Sequence, residues 1–261
     1  MITVMQGVLG LASGALVGFS LGLVGGGGSI LAVPLMVYVV GVPNPHVAIG
    51  TSAIAVAANA AVNLGNHARG GNVHWYCALV FAAAGIVGAF GGSVLGKRMD
   101  GQNLLALFAV LMLVIAVLML KTRARVGEQR VEISSANTPA LVGLGLITGT
   151  LSGFFGIGGG FLIVPGLLFA TGMPMINAVG SSLLAVGAFG LATAASYALS
   201  GLVDWVVAAE FIAGGLIGGF IGMRLACRLA NQKRLLNRIF AGVIFAVAGY
   251  MLYRNASAWG L

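Results

Sequence analysis

The sequence predicts an all-α polytopic membrane protein with two inverted repeats, each of about five hydrophobic helical segments. Three observations predict this fold class: the composition, the lengths of the apolar segments and an internal repetition. Of 261 residues, 59% are hydrophobic and only 7% are charged, and the mean hydropathy is +1.07. Soluble domains average ~45–50% apolar and ~25% charged residues. The composition therefore excludes a soluble enzyme and indicates a chain embedded in a lipid bilayer.

The charge distribution also fits a membrane protein. Thirteen Lys and Arg residues stand against five Asp and Glu residues, a net charge of +8. The basic residues lie between apolar segments, where the positive-inside rule places them, so we expect no nucleic-acid partner. Cys77 and Cys227 lie in different apolar segments without a CxxC spacing. No metal-ligand spacing or catalytic triad pattern occurs, so we expect no metal, no cofactor and no enzymatic activity.

Ten apolar segments are separated by short polar stretches, and eight of them are long enough to be considered as full spans. The segments at 29–41 and 158–171 are too short for the ~20 residues that a spanning helix needs. Each follows a glycine run, so we predict two short, glycine-broken helices. The polar stretch 121–138 divides an N-terminal membrane repeat, 1–120, from a C-terminal membrane repeat, 139–261, and is expected to be a cytoplasmic linker.

The two halves repeat one another. The motif VGGGGSILAVP at 24–34 aligns with FGIGGGFLIVP at 155–165, and VAIGTS at 47–52 aligns with NAVGSS at 177–182. These ordered matches indicate an internal duplication. An inverted arrangement places ten basic residues on the linker side and three on the other, whereas a parallel one gives seven against six. The positive-inside rule therefore favours inversion, with both termini outside a bacterial inner membrane.

The glycine runs are the first candidate binding residues. A helix that starts at Ser29 or Gly160 would present free N–H groups and the positive end of its dipole, which is an anion site without a buried cation. Paired short segments in two repeats are typical of a transporter binding site. A tight interhelical turn at the surface is the alternative. The candidates are Gly27, Gly28, Ser29, Gly158, Gly159 and Gly160.

Hydroxyl and amide side chains near two further segment starts are the second group of candidates. Hydroxyls and free amides at a helix start can bind an oxyanion, although Ser and Thr are also common N-caps. Asn59 and Asn63 follow on one helical face, where they line a cavity or hydrogen-bond between helices. Phe189 stands at the position that matches Asn59 in the second repeat. The remaining candidates are Gly50, Thr51, Ser52, Gly180, Ser181 and Ser182.

The few ionisable and small residues near the segment ends leave alternatives open. Glu210 could relay a proton within a span or be an interfacial acid. Arg69 could attract an anion at the cavity mouth or anchor the chain by the positive-inside rule. The glycine pairs Gly88-x-x-x-Gly92 and Gly218-x-x-x-Gly222 indicate close helix packing, and glycine-rich helix faces could also form a homodimer.

The doubled motifs, GGGGSILAVP followed by VAIGTS and GIGGGFLIVP followed by NAVGSS, resemble the TauE/SafE sulfite-exporter family, also called the sulfonate uptake permease family. The likeness covers about residues 14–252. It implies transport of a small sulfur-containing anion such as sulfite or a sulfoacetate-type organosulfonate. We therefore expect a secondary transporter that exports by alternating access. An uptake permease for another small organic or inorganic anion, and a membrane assembly or sensor subunit that does not transport, remain the alternatives.

Overall fold

The computed structural model describes residues 4–121, 137–158, 160–228 and 233–258, which form helices and no strand. The predicted all-α class is confirmed. Seven of the described helices are long and apolar enough to cross a membrane, so this is a multi-pass membrane protein. The elements are α1 (Val4–Val24), a 3₁₀ helix (Gly25–Leu31), α2 (Ala32–Tyr38), α3 (Pro45–Arg69), α4 (Trp75–Arg98), α5 (Gly101–Lys121), α6 (Thr138–Phe155), α7 (Gly160–Thr171), α8 (Met175–Ala198), α9 (Trp205–Arg228) and α10 (Lys233–Ala258).

The two predicted short helices are present, but they begin differently. In the first half, the 3₁₀ helix follows α1 directly and leads into α2 at Ala32. The predicted helix start at Ser29 is therefore wrong, because α2 begins three residues later. The 3₁₀ segment turns the chain back onto α1, where a Cβ on Gly28 would overlap the backbone of Ser20 and Leu21. In the second half, Gly156 and Gly158 adopt positive φ values of 70° and 67° and end α6, so that α7 begins at Gly160 as predicted.

Polar side chains fix the starts of several long helices. The backbone N–H of His46 donates to Asn44 Oδ1 at the start of α3. Asp100 Oδ2 accepts from two backbone N–H groups at the start of α5. Asp204 Oδ1 accepts from Val206 N and Val207 N at 3.0 and 3.1 Å. Such caps satisfy N–H groups that have no partner within the helix, which defines where each crossing begins.

Corresponding helices of the two halves pack against corresponding partners. Helix α1 packs along α9 as α6 packs along α4, while α3 packs on α8 and α5 on α10. This pattern supports the predicted duplication, which stays a prediction. Residues 122–136 of the predicted linker lie outside the described residues, and the predicted boundaries of the two repeats stay untested.

Contacts at the two ends of the bundle give the order of crossings. A cavity of about 210 Å³ is lined by Gln6, Asn44 and Asp204 among others, so the starts of α1, α3 and α9 share one end. Tyr76 Oη lies 3.1 Å from Thr138 Oγ1, so the starts of α4 and α6 share the opposite end. Each half therefore consists of a returning hairpin followed by three crossings. An odd number of net crossings supports the predicted inversion.

Glycines allow the α1–α9 and α4–α6 pairs to pack backbone against backbone. A Cβ on Gly88 or Gly92 of α4 would overlap the backbone of α6, and one on Gly218 or Gly222 would overlap that of α1. The predicted close packing of these two glycine pairs is therefore confirmed, and it occurs within the chain. The predicted homodimer would have to use other helix faces, and it stays a prediction.

Candidate functional site

The two glycine breaks lie together inside the bundle. The 3₁₀ helix contacts α7 and α8 as well as α1. Ser29 is fully buried, and Gly27, Gly28 and Gly160 are buried as well. Gly158 lies between α3 and α8, where a Cβ would come within 3.0 Å of Val56 and 3.3 Å of Val186. Its positive φ and this close approach both require glycine. Gly159 lies outside the described residues.

The motifs at 50–52 and 180–182 lie in the second turns of their helices. Helix α3 begins five residues before Gly50, at Pro45, and α8 begins at Met175. The predicted free amides at these motifs are therefore wrong, because only the first four N–H groups of a helix lack an internal acceptor. The hydroxyls of Ser52 and Ser182 donate to Ile49 O at 3.0 Å and Val179 O at 2.7 Å in their own helices.

Thr51 and Ser181 accept hydrogen bonds from the loops before other helices. Asp204 N donates to Thr51 Oγ1, and His74 N donates to Ser181 Oγ, both at 2.9 Å. A Cβ at Gly50 would overlap Leu202 O, and one at Gly180 would overlap Asn72 O. In each motif, the glycine allows a loop carbonyl to approach closely, and the next residue's hydroxyl accepts a hydrogen bond from the loop N–H that lies two residues after that carbonyl. The predicted N-cap role is therefore also wrong, because these hydroxyls lie within α3 and α8 and bind loops before other helices instead.

Asn59 and Asn63 lie inside the bundle on α3, facing α9. They are 1% and 4% exposed. Asn63 Nδ2 donates to the Asn59 backbone oxygen at 3.0 Å. The Asn59 carboxamide packs against Gly215, and among the described residues neither its nitrogen nor its oxygen has a hydrogen-bond partner. Asn59 follows Val56, the neighbour of the Gly158 bend, by one helical turn.

Several other buried hydroxyls also lack a partner among the described residues. They belong to Ser152 near the end of α6 and to Thr193, Ser196 and Tyr197 on α8. Ser152 and Tyr197 are not among the site residues predicted from the sequence. The position of Ser152 one turn before Gly156 and the presence of a tyrosine within an apolar span were the available signals. Tyr197 packs 6.3 Å from the His46 ring, and Lys97 Nζ lies 5.6 Å from its ring centroid.

The two predicted charged candidates lie towards the ends of the bundle. Glu210 packs against α1, where a Cβ on Gly7 would lie 2.9 Å from Glu210 Oε1. Arg69 is the exposed last residue of α3, ten residues or about 15 Å along the axis from Asn59. Proton coupling by Glu210 and anion attraction by Arg69 stay predictions. Within the described ranges, no group of three or more His, Cys, Asp or Glu residues could hold a metal ion.

The surrounding helices enclose residues of both glycine breaks, among them Gly27, Gly28, Ser29 and Gly160. The cavity at the start of α9 and a second, apolar groove between α5 and α10 are lined by other residues. Irregular backbone at this depth is tolerated because protein encloses it.

Comparison with known proteins agrees with this architecture. The family model described as "Sulfite exporter TauE/SafE" matches residues 10–251. The chain belongs to the TauE/SafE family. No solved structure matches the chain. The motifs that carry the TauE/SafE resemblance include the two glycine breaks that meet in the bundle.

The curated relatives are named as transporters. A "Probable membrane transporter protein" of Xylella fastidiosa (strain 9a5c) is 54% identical over 97% of this chain and 98% of its own length. "Probable membrane transporter protein YdhB" of Bacillus subtilis is 29% identical over 91% of this chain and 96% of its own length. The TauE/SafE family is thus one of membrane transporters, and the predicted family, membrane location and transporter class are confirmed.

Proposed function

We propose that this TauE/SafE member is a secondary transporter that exports small sulfur-containing anions, sulfite or an organosulfonate such as sulfoacetate, by alternating access. One observation carries the proposal: the two glycine breaks lie side by side within the bundle, against α3 and α8. Discontinuous helices that meet between two repeats form the substrate sites of many carriers.

The chemistry around the breaks suits an anion held by neutral donors. Helix α7 begins at Gly160, and its first-turn N–H groups have no acceptor within the helix. The carboxamides of Asn59 and Asn63 add further N–H donors one to two turns from the Gly158 bend. Lys97 and Arg98, by contrast, lie in the last turn of α4, at one end of the bundle. A site without a strong buried countercharge releases a small anion readily.

The membrane potential can drive export without a coupling ion. One negative charge that leaves a cell gains about 2.3 kcal/mol per 100 mV of inside-negative potential. An efflux carrier therefore needs few acidic residues, and the chain has five Asp and Glu residues in all. Glu210 remains the candidate for proton coupling should coupling exist.

A flux assay in liposomes tests the proposal. Purified protein is reconstituted in vesicles loaded with radiolabelled sulfite or sulfoacetate, and efflux is followed with and without an imposed inside-negative potential. We expect efflux well above that of protein-free vesicles, accelerated by the potential, with little efflux of an unrelated monoanion such as gluconate. Wild-type vesicles that release none of the small sulfur anions faster than protein-free vesicles would contradict the proposal. Flux that runs only inwards under the same potential would favour the uptake alternative.

A further inference from the structure

We infer that only one of the two mirrored helix interfaces contributes a side chain to the anion site: the Asn59 carboxamide at the α3–α9 interface holds the anion, and Phe189 closes the mirrored position at the α8–α4 interface. This inference rests on the proposed function. It adds an asymmetry that the doubled motifs do not suggest.

The Asn59 side chain is buried, only 1% exposed, and its nitrogen and oxygen both lack a hydrogen-bond partner among the described residues. Buried polar groups are almost always hydrogen-bonded, and an unpaired carboxamide in an apolar interior is costly. A buried carboxamide without a protein partner can be satisfied by a ligand that binds transiently, and a transported solute is such a ligand.

Asn59 lies close to the glycine bend at Gly158. Val56 contacts Gly158, and Asn59 lies one turn further along α3, towards Gly215 of α9. A solute that enters between α3 and α9 would meet the carboxamide beside the bend. The absence of a side chain at Gly215 makes space for the carboxamide, because a Cβ at that position would overlap it.

Phe189 occupies the position in the second half that corresponds to Asn59 in the first. In the second half, Phe189 of α8 faces Gly85 of α4 as Asn59 faces Gly215. The Phe189 ring stacks on Phe81 with centroids 6.2 Å apart, and both rings are fully buried. Two aromatic rings fill that interface with apolar surface and present no hydrogen-bond donor. The two interfaces therefore share one backbone arrangement, but the α3–α9 interface carries a polar carboxamide, whereas aromatic rings fill the α8–α4 interface.

The donor set indicates the class of ligand. The Asn59 Nδ2 group offers two N–H donors and Oδ1 one acceptor, and no charged group stands beside them in the contacts described. A compact oxoanion with several acceptor oxygens on one centre matches this set. A bulky hydrophobic anion does not, because the space between α3 and α9 is set by Gly215 and Gly219.

The test replaces Asn59 by leucine, which has nearly the same shape and no polar atoms. We expect Asn59→Leu to melt at the wild-type temperature or higher, because an apolar group replaces an unpaired amide. We expect its sulfite efflux to fall roughly tenfold or more, and sulfite to lose its stabilising effect in a thermal-shift assay. Asn59→Ala is the second variant, used in the same assays if the leucine protein is not recovered.

Phe189→Leu is the matched control at the mirrored position, and its efflux is expected to stay within about twofold of wild type. Wild-type efflux and wild-type sulfite stabilisation in Asn59→Leu would overturn the inference while leaving the proposed function intact. A tenfold loss of efflux in Phe189→Leu would also overturn it, because both sides would then serve the anion. A lower melting temperature in Asn59→Leu with unchanged sulfite affinity would show a purely structural asparagine. Absence of both efflux and sulfite stabilisation in the wild type would instead defeat the proposed function and the inference together.

Discussion

The backbone N–H of Asp204 donates to the hydroxyl oxygen of Thr51 over 2.9 Å, which ties the start of α9 to the second turn of α3. At the opposite end of the bundle, His74 N makes the same bond to Ser181 and ties α4 to α8. The two bonds occupy matching positions of the doubled motifs. They hold the central helices α3 and α8 to the helices that carry the glycine packing faces, one bond at each end.

Thr51→Val tests this bond, because valine keeps the shape of threonine and removes the acceptor. The N–H of Asp204 would then be left without its partner in a part-buried site, at a cost of about 1–2 kcal/mol. We expect a lower melting temperature for the purified protein and wild-type behaviour for Thr51→Ser, which keeps the hydroxyl. A valine variant as stable as the serine variant would show that the bond contributes nothing.

Gly50→Ala probes the other half of the same motif. An added Cβ would overlap Leu202 O, a backbone atom that cannot move without shifting the loop before α9. We expect a loss of about 1–3 kcal/mol, seen as a lower melting temperature. Gly91→Ala is the control, because a Cβ there meets nothing within 4 Å. The control is expected to be neutral or slightly stabilised.

Composition and repetition were sufficient to predict the helical class, the membrane location and the two short helices. The sequence did not reveal where the helices at 50–52 and 180–182 begin. Asn44 caps α3 through its own side chain, and Pro174 precedes α8, so both helices start a turn or more before the hydroxyls that resemble caps. The acceptor role of Thr51 could not be predicted either, because its donor, Asp204, lies 153 residues away in the chain.

The sequence did predict that Asn59 and Asn63 share a helical face, since that needs only the helical period. It could not predict that Asn63 would satisfy its amide on Asn59 O while Asn59 has no partner among the described residues. That difference depends on which face of α9 packs against α3. The two glycine runs also differ. In the first half the run lies in a 3₁₀ helix, Gly25–Leu31, whereas in the second half Gly156 and Gly158 adopt left-handed conformations that interrupt the helix. Similar motifs thus gave different local backbones.

Site-directed labelling tests the predicted orientation of the crossings. Gly70 and Leu199 are exposed residues that follow α3 and α8, at opposite ends of the bundle. The excess of basic residues on the linker side predicts that Gly70 faces the cytoplasm and Leu199 the outside. In a background without Cys77 and Cys227, Leu199→Cys should react with an impermeant maleimide in intact cells. Gly70→Cys should react only after permeabilisation, and labelling of both from the same side would refute the inverted arrangement.

Gly158→Ala tests the bend that carries the proposed site. Its φ of +67° is a left-handed conformation that costs an alanine about 1–2 kcal/mol, and the added Cβ would press on Val56 and Val186 at 3.0 and 3.3 Å. Because these valines lie on α3 and α8, the strain would fall on the contact between the two central helices. We therefore expect sulfite efflux to fall more steeply than the melting temperature alone accounts for. Gly65→Ala is the control on α3, since a Cβ there meets nothing within 4 Å. Equal efflux from the two variants would mean that the bend is a passive turn.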